Sequence, residues 1–447
     1  MSSSSMESDS IFNSTGSCNY DSDSDTDADD VKKDNTNRRK KLRYLLNLLL
    51  IRRQYLRQRQ PKFTPPRLVW TDYVSQLIQQ NEFSVTFRMS LLAFNKLVEI
   101  LRDDLEVHYH QALRSSKKNG PIQPELVVAM SLRWLAGGQW QDIKKVYGVS
   151  KGHFYYLRSK FMNAVVRCPA LEIWLPDSSD VEGLQRLAKQ FEATASSPVL
   201  RGCVGALDGL TVFVNAPTAS EAENVLAYYS GHYKHDSLNV QALSDYRGKF
   251  LYFAVAAPGS FPDSNALALT RLKNWIDSLP SGFYVVADNA YIVSEHVLIP
   301  FSGTQRHVPQ NSSYNYFLSQ MRIRVEQAFG QFSVKWRIIR KPLETRLATS
   351  SILLGTCARL HNFIIDTDWQ ENEEVTSADV VGNLNEIYRP SLTRFRSQPG
   401  TSFLRDMIVK HIEENGYRRP CYNRLRNDDS NLTTLLNFEE YETMQLM

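Results

Sequence analysis

At 447 residues, with 42% apolar and 22% charged side chains, the chain has the make-up of a soluble protein of two or three domains with a sizeable core. Its five cysteines are scattered without CxxC or Cys/His spacing, which argues against a disulfide framework and a structural zinc site; no apolar run reaches the ~20 residues of a membrane span. The formal net charge of +4 conceals an asymmetry, because residues 1–30 hold eight carboxylates and no Lys or Arg, leaving 52 cations against 40 carboxylates in the rest. An acidic tail on a basic body is common where a protein meets phosphate.

Residues 1–40 are rich in Ser, Asp and Asn and lack the apolar groups to offset their own ordering. Arg38-Arg39-Lys40-Lys41 has the look of a nuclear localisation patch. LRYLLNLLLIRRQYLRQR then reads as a short amphipathic helix with a basic rim, closed by Pro61, Pro65 and Pro66. Residues 1–60 are therefore expected to be a disordered tail, acidic then basic, carrying one helix. The start lacks a signal peptide's basic-then-apolar order, so a reduced, intracellular setting is expected.

Residues 61–170 read as helical. FRMSLLAFNKLVEILRDDL offers Ser90 as N-cap, followed by Leu91, Phe94, Leu97, Val98 and Leu101 at three- and four-residue spacing. ELVVAMSLRWLAG forms the next helix, stopped at Gly137-Gly138. WQDIKKVYGVSKGHFYYLRSKFMNAVV reads as two helices joined at Gly148, with Ser150 capping the second, which is a helix-turn-helix outline. Docked on DNA, such a pair would offer Lys151, His153, Tyr156 and Arg158; the same pattern also fits a plain helical hairpin.

The period changes in residues 185–366. CVGALDGLTVFV is a strand, and SLNVQALSDYRGKFLYFAVAAPG is a hairpin turning at Asp245–Gly248. DSNALALTRLKNWIDSL reads as one helix opened by Asp263 or Ser264, GFYVVADNAY as a strand ending in Asp288, and HVLIPF as a short further strand. YNYFLSQMRIRVEQAFGQFSVKWRII is a long helix with Leu318, Met321, Val325, Phe329, Phe332 and Trp336 on one stripe. The order points to an α/β fold, a mixed sheet flanked by helices and preceded by the all-α segment. Residues 367–447 are expected to be a low-order extension with one helix, FLRDMIVKHIEE.

Three acids stand where this framework does not want them. Asp208 interrupts an apolar strand, Asp288 ends one, and Glu326 borders the buried stripe of the long helix. Carboxylates that converge repel and raise each other's pKa unless a cation holds them. Hard oxygen ligands suit Mg²⁺ or Mn²⁺, and a two-ion site of this kind cleaves phosphodiesters without a side-chain nucleophile. No GxSxG occurs, which argues against an α/β-hydrolase-like enzyme.

CVGALDGL, YYSGHYKHDSLNVQALSDYRGKFLYFAVAAPGSFPDS, ADNAY, IRVEQAFGQFSVKWRII and ARLHNFIID, in that order, resemble the DDE nuclease domain of PIF/Harbinger transposases. FRMSLLAFNKLVEIL resembles the helical segment before it, so the likeness covers about residues 83–366. It implies a ribonuclease-H-like core and a Mg²⁺- or Mn²⁺-dependent endonuclease acting at terminal inverted repeats in the nucleus. By the same resemblance Asp208 and Asp288 would share or bridge the metals, Glu326 would hold the second ion, and Asp263 would be an auxiliary acid. It further implies a homo-oligomer and a Myb/SANT-like DNA-binding partner. Lys335, Arg337, Arg340 and Lys341 would be phosphate contacts. The sequence departs from the family at Ala287, Ala290, Pro262 and Gln327, none of which removes a metal ligand; the altered glycine positions also fit a domesticated, non-cleaving DNA-binding or adaptor protein that keeps the fold.

Overall fold

The computed structural model describes residues 27–57, 66–107, 109–115, 120–369 and 402–420. The acidic stretch up to residue 26 and most of the C-terminal extension lie outside them. The chain divides into two units, residues 1–64 and 65–447. In the first, one helix, α1 (Asp27–Arg57), begins inside the acidic tract and runs through Arg38–Lys41, further toward the N-terminus than the apolar run suggests. Leu42, Leu45, Leu49 and Ile51 on it are exposed.

The second unit opens with helices: α2 (Trp70–Gln79), α3 (Phe83–Phe87), α4 (Leu91–Leu105), α5 (Tyr109–Ser115), α6 (Pro124–Leu135), α7 (Trp140–Tyr147), α8 (Lys151–Arg167) and α9 (Val181–Glu192). Ser90 caps α4 by accepting a hydrogen bond from the Ala93 N–H at 3.1 Å, and Ser150 caps α8 by accepting from His153 N–H at 3.3 Å. Gly148 ends α7 in the left-handed region at φ 65°; a Cβ there would lie 2.3 Å from the Pro66 carbonyl oxygen, so only glycine fits.

The sheet follows, with β1 (Cys203–Phe213), β2 (Tyr229–Ser230), β3 (His235–Ser244), β4 (Phe250–Pro258), β5 (Tyr284–Val286) and β6 (Val297–Leu298). The main strands lie in the order β4-β3-β1-β5-β6, and β2 pairs with one end of β3. β3 is antiparallel to β1 and to β4, whereas β5 runs parallel to β1 and β6 parallel to β5. α10 (Asp263–Ala268) and α11 (Arg271–Asp277) lie between β4 and β5, and α12 (Pro309–Lys335), α13 (Leu347–Trp369) and α14 (Phe403–Glu414) complete the described chain.

The run DSNALALTRLKNWIDSL is thus two short helices rather than one. Thr270 is extended (φ −104°, ψ 154°) and its hydroxyl bonds back to the Leu267 carbonyl at 2.7 Å, a local bond that competes with helix continuation.

Each sheet face has its own core. Val204, Leu207, Leu243, Val285 and Ala287 pack with Leu184, Leu272, Trp275, Ile276 and Tyr291. On the other face Ala206, Leu210, Val212 and Val240 join the stripe of α12, whose Leu318, Met321, Val325, Phe329, Phe332 and Trp336 are all buried. Helices α3 to α8 contribute Phe87, Phe94, Leu101, Val128, Leu135, Phe154 and Phe161 to this same cluster, so the helical segment and the sheet share a continuous core.

α13 is bolted to the hairpin through ARLHNFIID. Asn362 pairs with one residue of β4 in both directions: its Oδ1 accepts from Phe250 N–H and its Nδ2 donates to the Phe250 carbonyl, each at 2.8 Å. The fully enclosed His361 places Nε2 2.9 Å from the Gly248 carbonyl; burial pushes its pKa down to about 3, so it is neutral at working pH. Asn362→Ala leaves a buried N–H and C=O unpaired and is expected to cost about 1–3 kcal/mol, read as a lower urea midpoint at unchanged m.

Candidate active site

β1 and β5 set the site. Their parallel register ends at Ala206 opposite Val286, and two residues further along each strand stand Asp208 and Asp288. β5 stops at Val286, so the chain turns away there, and the Asp288 side chain closes the turn by accepting the Ala290 N–H at 2.8 Å. Asp288 is therefore both the turn residue and an acid at the C-terminal edge of a parallel strand, the edge where open α/β sheets place their ligands.

Side chains alternate along a strand, which separates Asp208 from its neighbour Gly209. Asp208 shares the face of Ala206 and Leu210, the one that α12 covers, and is only 7% exposed. One of its oxygens, Oδ1, accepts the Gly209 N–H at 2.8 Å. Glu326 follows the buried Val325 on α12 and is paired with Arg322 one turn earlier. Gly209 looks to the opposite face, where a Cβ would sit 2.3 Å from Asp263 Oδ1. Glycine at 209 is thus what lets Asp263 lie against the strand. Asp263 is the first residue of α10, and its Oδ1 accepts from Asn239 Nδ2 at 2.8 Å and from Gln241 Nε2 at 3.2 Å rather than capping the helix. Buried Tyr291 completes this group by donating to Gln241 Oε1 at 2.7 Å.

The acids feel one another. Burial pushes the Asp208 carboxyl well above the usual carboxylate range, and the charges of Asp288, Glu326 and Asp263 push the same way against Arg322. Burial raises Asp288 to about 6; the Ala290 N–H and Arg322 oppose this, while Asp263 and Glu326 add to it. Asp263 is raised by burial too, against its two amide donors. Such a set lacks positive charge.

As they stand, no three His, Cys, Asp or Glu side chains among the described residues converge closely enough to hold a metal ion. The reason is visible in the partners: Asp208 and Asp288 each turn an oxygen to a backbone N–H, and Glu326 to Arg322. The donor set nevertheless suits a hard divalent cation, being all carboxylate oxygen and largely enclosed, with Arg322 as the cation beside it.

The expected DNA contacts are placed differently from one another. Lys151 is exposed at the start of α8, its ammonium 4.8 Å from the Trp140 ring centroid. His153 is half-buried, and burial together with Arg67 lowers its pKa. Arg158 is half-buried as well, its guanidinium stacked 4.3 Å over Trp134 and 4.8 Å over Tyr155. Lys335 turns its ammonium inward, and burial lowers its pKa to about 8. Arg337, Arg340 and Lys341 are exposed.

Arg322, Asn239, Gln241 and Tyr291 escaped the sequence reading. The polar pair Asn239 and Gln241, two apart among Leu238, Val240, Ala242 and Leu243, is a signal that could have found the Asp263 support.

No helix among the described residues is long and apolar enough to cross a membrane. No curated protein and no solved structure matches the chain. Residues 207–362, a span that runs from β1 into α13 and includes Asp208, Asp263, Asp288 and Glu326, match the family model of the DDE superfamily endonuclease.

Proposed function

We propose that this chain is a metal-dependent DNA endonuclease of the transposase kind, similar to the PIF/Harbinger enzymes. The observation that carries the reading is a group of enclosed carboxylates: buried Asp208 and half-buried Asp288 and Glu326 come from two neighbouring strands and the helix that covers them. Neighbouring acid charges add to the upward shifts that burial gives Asp208 and Asp288. The match to the DDE superfamily endonuclease over the same residues supports it. So does the mixed sheet flanked by helices, which is compatible with a ribonuclease-H-like core.

In this reading Asp208, Asp288 and Glu326 would hold Mg²⁺ or Mn²⁺, and Glu326, now paired with Arg322, would turn its carboxylate to the ion. A divalent ion there would activate a water or 3′-hydroxyl and stabilise the leaving oxygen of a phosphodiester. Asp263 adds negative charge from the Gly209 side. The ends cut would be terminal inverted repeats, with joining by transesterification. A Myb/SANT-like partner, homo-oligomerisation and nuclear residence complete the proposal; Arg38–Lys41 is the segment that would serve nuclear entry.

The test is incubation of the full chain with supercoiled DNA carrying terminal repeats, in Mg²⁺, in Mn²⁺ and in chelator. Nicked or linear product in the metal lanes alone is the expected result. An absence of cutting in every lane, with a Myb-like partner supplied, would sink the reading.

A further inference from the structure

Four arginines that the acids do not use come together on the other side of α12's end. α12 is followed by a short 3-10 helix, Arg337–Arg340, in which residues three apart share a face, so Arg337 and Arg340 point the same way. This turn lies against the end of α6. Gly137, at φ 96°, would place a Cβ 3.0 Å from the Arg337 Cβ, and Gly138 would place one 3.3 Å from the Arg133 Cγ. Arg133 and Arg337 thus flank the same glycine turn. Arg88 is the C-cap of α3, which packs on α6. The three other arginines lie near enough to depress its pKa together with burial.

Arg88 is costly to keep there in two ways. Its backbone is left-handed (φ 63°, ψ 22°), where Gly or Asn would be far less strained. Its Nε is buried with no hydrogen-bond partner. Among the described residues no Asp or Glu forms an ion pair with Arg88, Arg133, Arg337 or Arg340. Arg340 is meanwhile held in place, its Nε donating to the Ser333 carbonyl at 2.9 Å. Four like charges, one strained and one tethered, from three separate segments and without an ion pair among the described residues, make a setting suited to an anion. The planar arginine fork matches phosphate oxygens in pairs.

We propose that Arg88, Arg133, Arg337 and Arg340 form a binding site for backbone phosphates of duplex DNA. The choice of DNA rests on the endonuclease reading above; the anionic character rests on the arginines alone. Lys341 is exposed beside them and extends the basic track. Lys335 is half-buried, and burial together with the nearby charge of Arg88 lowers its pKa.

The experiment is duplex binding by the full chain in chelator, so that no cutting intervenes, followed by fluorescence anisotropy from 50 to 300 mM NaCl on a duplex of about 30 base pairs. Arg337→Gln with Arg340→Gln is expected to lower the slope of log K against log salt by about 0.9 for each phosphate no longer neutralised, and affinity about tenfold or more. The paired Arg→Lys variant is expected to keep the slope, and Arg88→Asn, which suits the left-handed backbone, to weaken binding while leaving thermal unfolding intact. An unchanged slope in the Gln variant, equal loss in the Lys variant, a parent that does not bind duplex, or binding of polyglutamate as tight as of duplex would each overturn the site. The nuclease reading is judged separately on supercoiled DNA. Metal-dependent cutting with an unchanged slope removes this site alone, and a slope that falls as expected without any cutting removes the nuclease alone.

Discussion

Asp288→Asn is expected to abolish metal-dependent cutting and, in metal-free buffer at pH 7.5, to raise the melting temperature. The two effects have one cause. Folding carries the Asp288 carboxyl from its ordinary value up to about 6, so its ionised form is disfavoured in the folded protein by on the order of 2–3 kcal/mol. An amide of the same shape removes that charge and can still accept the Ala290 N–H. Asp208→Asn is expected to behave alike, since Asp208 is more enclosed and repelled by the same neighbours. On the proposed reading, loss of either aspartate would remove a metal ligand and several kcal/mol of charge stabilisation, a rate loss on the order of 10³-fold or more. Glu326→Gln separates the site from a generic acid cluster: it too loses cutting, but it gives up an ion pair with Arg322, so the rise in melting temperature seen for the aspartate variants is not expected. Calorimetry and plasmid nicking on the three variants check this. Aspartate variants that cut like the parent, or that melt lower without metal, would remove these side chains from the active site.

The elements that carry the site were legible because their patterns are strong in one dimension. The apolar stripe of α12 from Leu318 to Trp336, the strands around Asp208 and before Asp288, and the caps Ser90 and Ser150 depend on residues close in sequence. What was illegible depends on partners far away. Arg158 is as basic in sequence as Arg337, yet it lies on Trp134 and Tyr155 while Arg337 is exposed. Lys335 sits at the basic end of its helix, but the fold turns its ammonium inward. Asp263 looked like a helix cap or a fourth ligand; the alternation of β1 puts it opposite Asp208, held by Asn239 and Gln241. The break at Thr270 and the start of α1 inside an acidic tract were missed because propensity is a weak guide once other bonds compete.

In the metal-free protein the site carboxyls are expected to contribute less stability as pH rises, and a divalent cation to return the loss only at the alkaline end. The trend is read as the parent's pH profile minus that of Asp288→Asn, so that the opposite trend of buried His361, which gains stability as pH climbs toward its ordinary 6.5, cancels. The sign follows from the carboxyls. Asp288 has a folded pKa raised to about 6 from an ordinary 3.8, so the folded state binds the extra proton between those values. Stability from this group is fully present below about 3.8 and is lost as pH climbs through about 6. Asp208, raised further by burial and by Asp288, extends the loss upward. On the proposed reading a metal would need the same carboxylates deprotonated, so protons and cation would compete for one site. At pH 5 the proton wins, and millimolar Mn²⁺ should leave the melting temperature where it was. At pH 8 the ion relieves the repulsion directly; at a hundredfold excess over its dissociation constant it contributes about 2.7 kcal/mol, a shift of a few degrees in a chain of this size. Asp288→Asn should remove the Asp288 part of the pH profile and weaken the metal response. Melting curves at pH 5, 6.5 and 8, with Mn²⁺ and with chelator, decide the matter. An equal metal effect at both extremes would place the ion elsewhere on the chain, and a metal-free pH profile that Asp288→Asn leaves unchanged would mean that the acids are not crowded as the fold describes them.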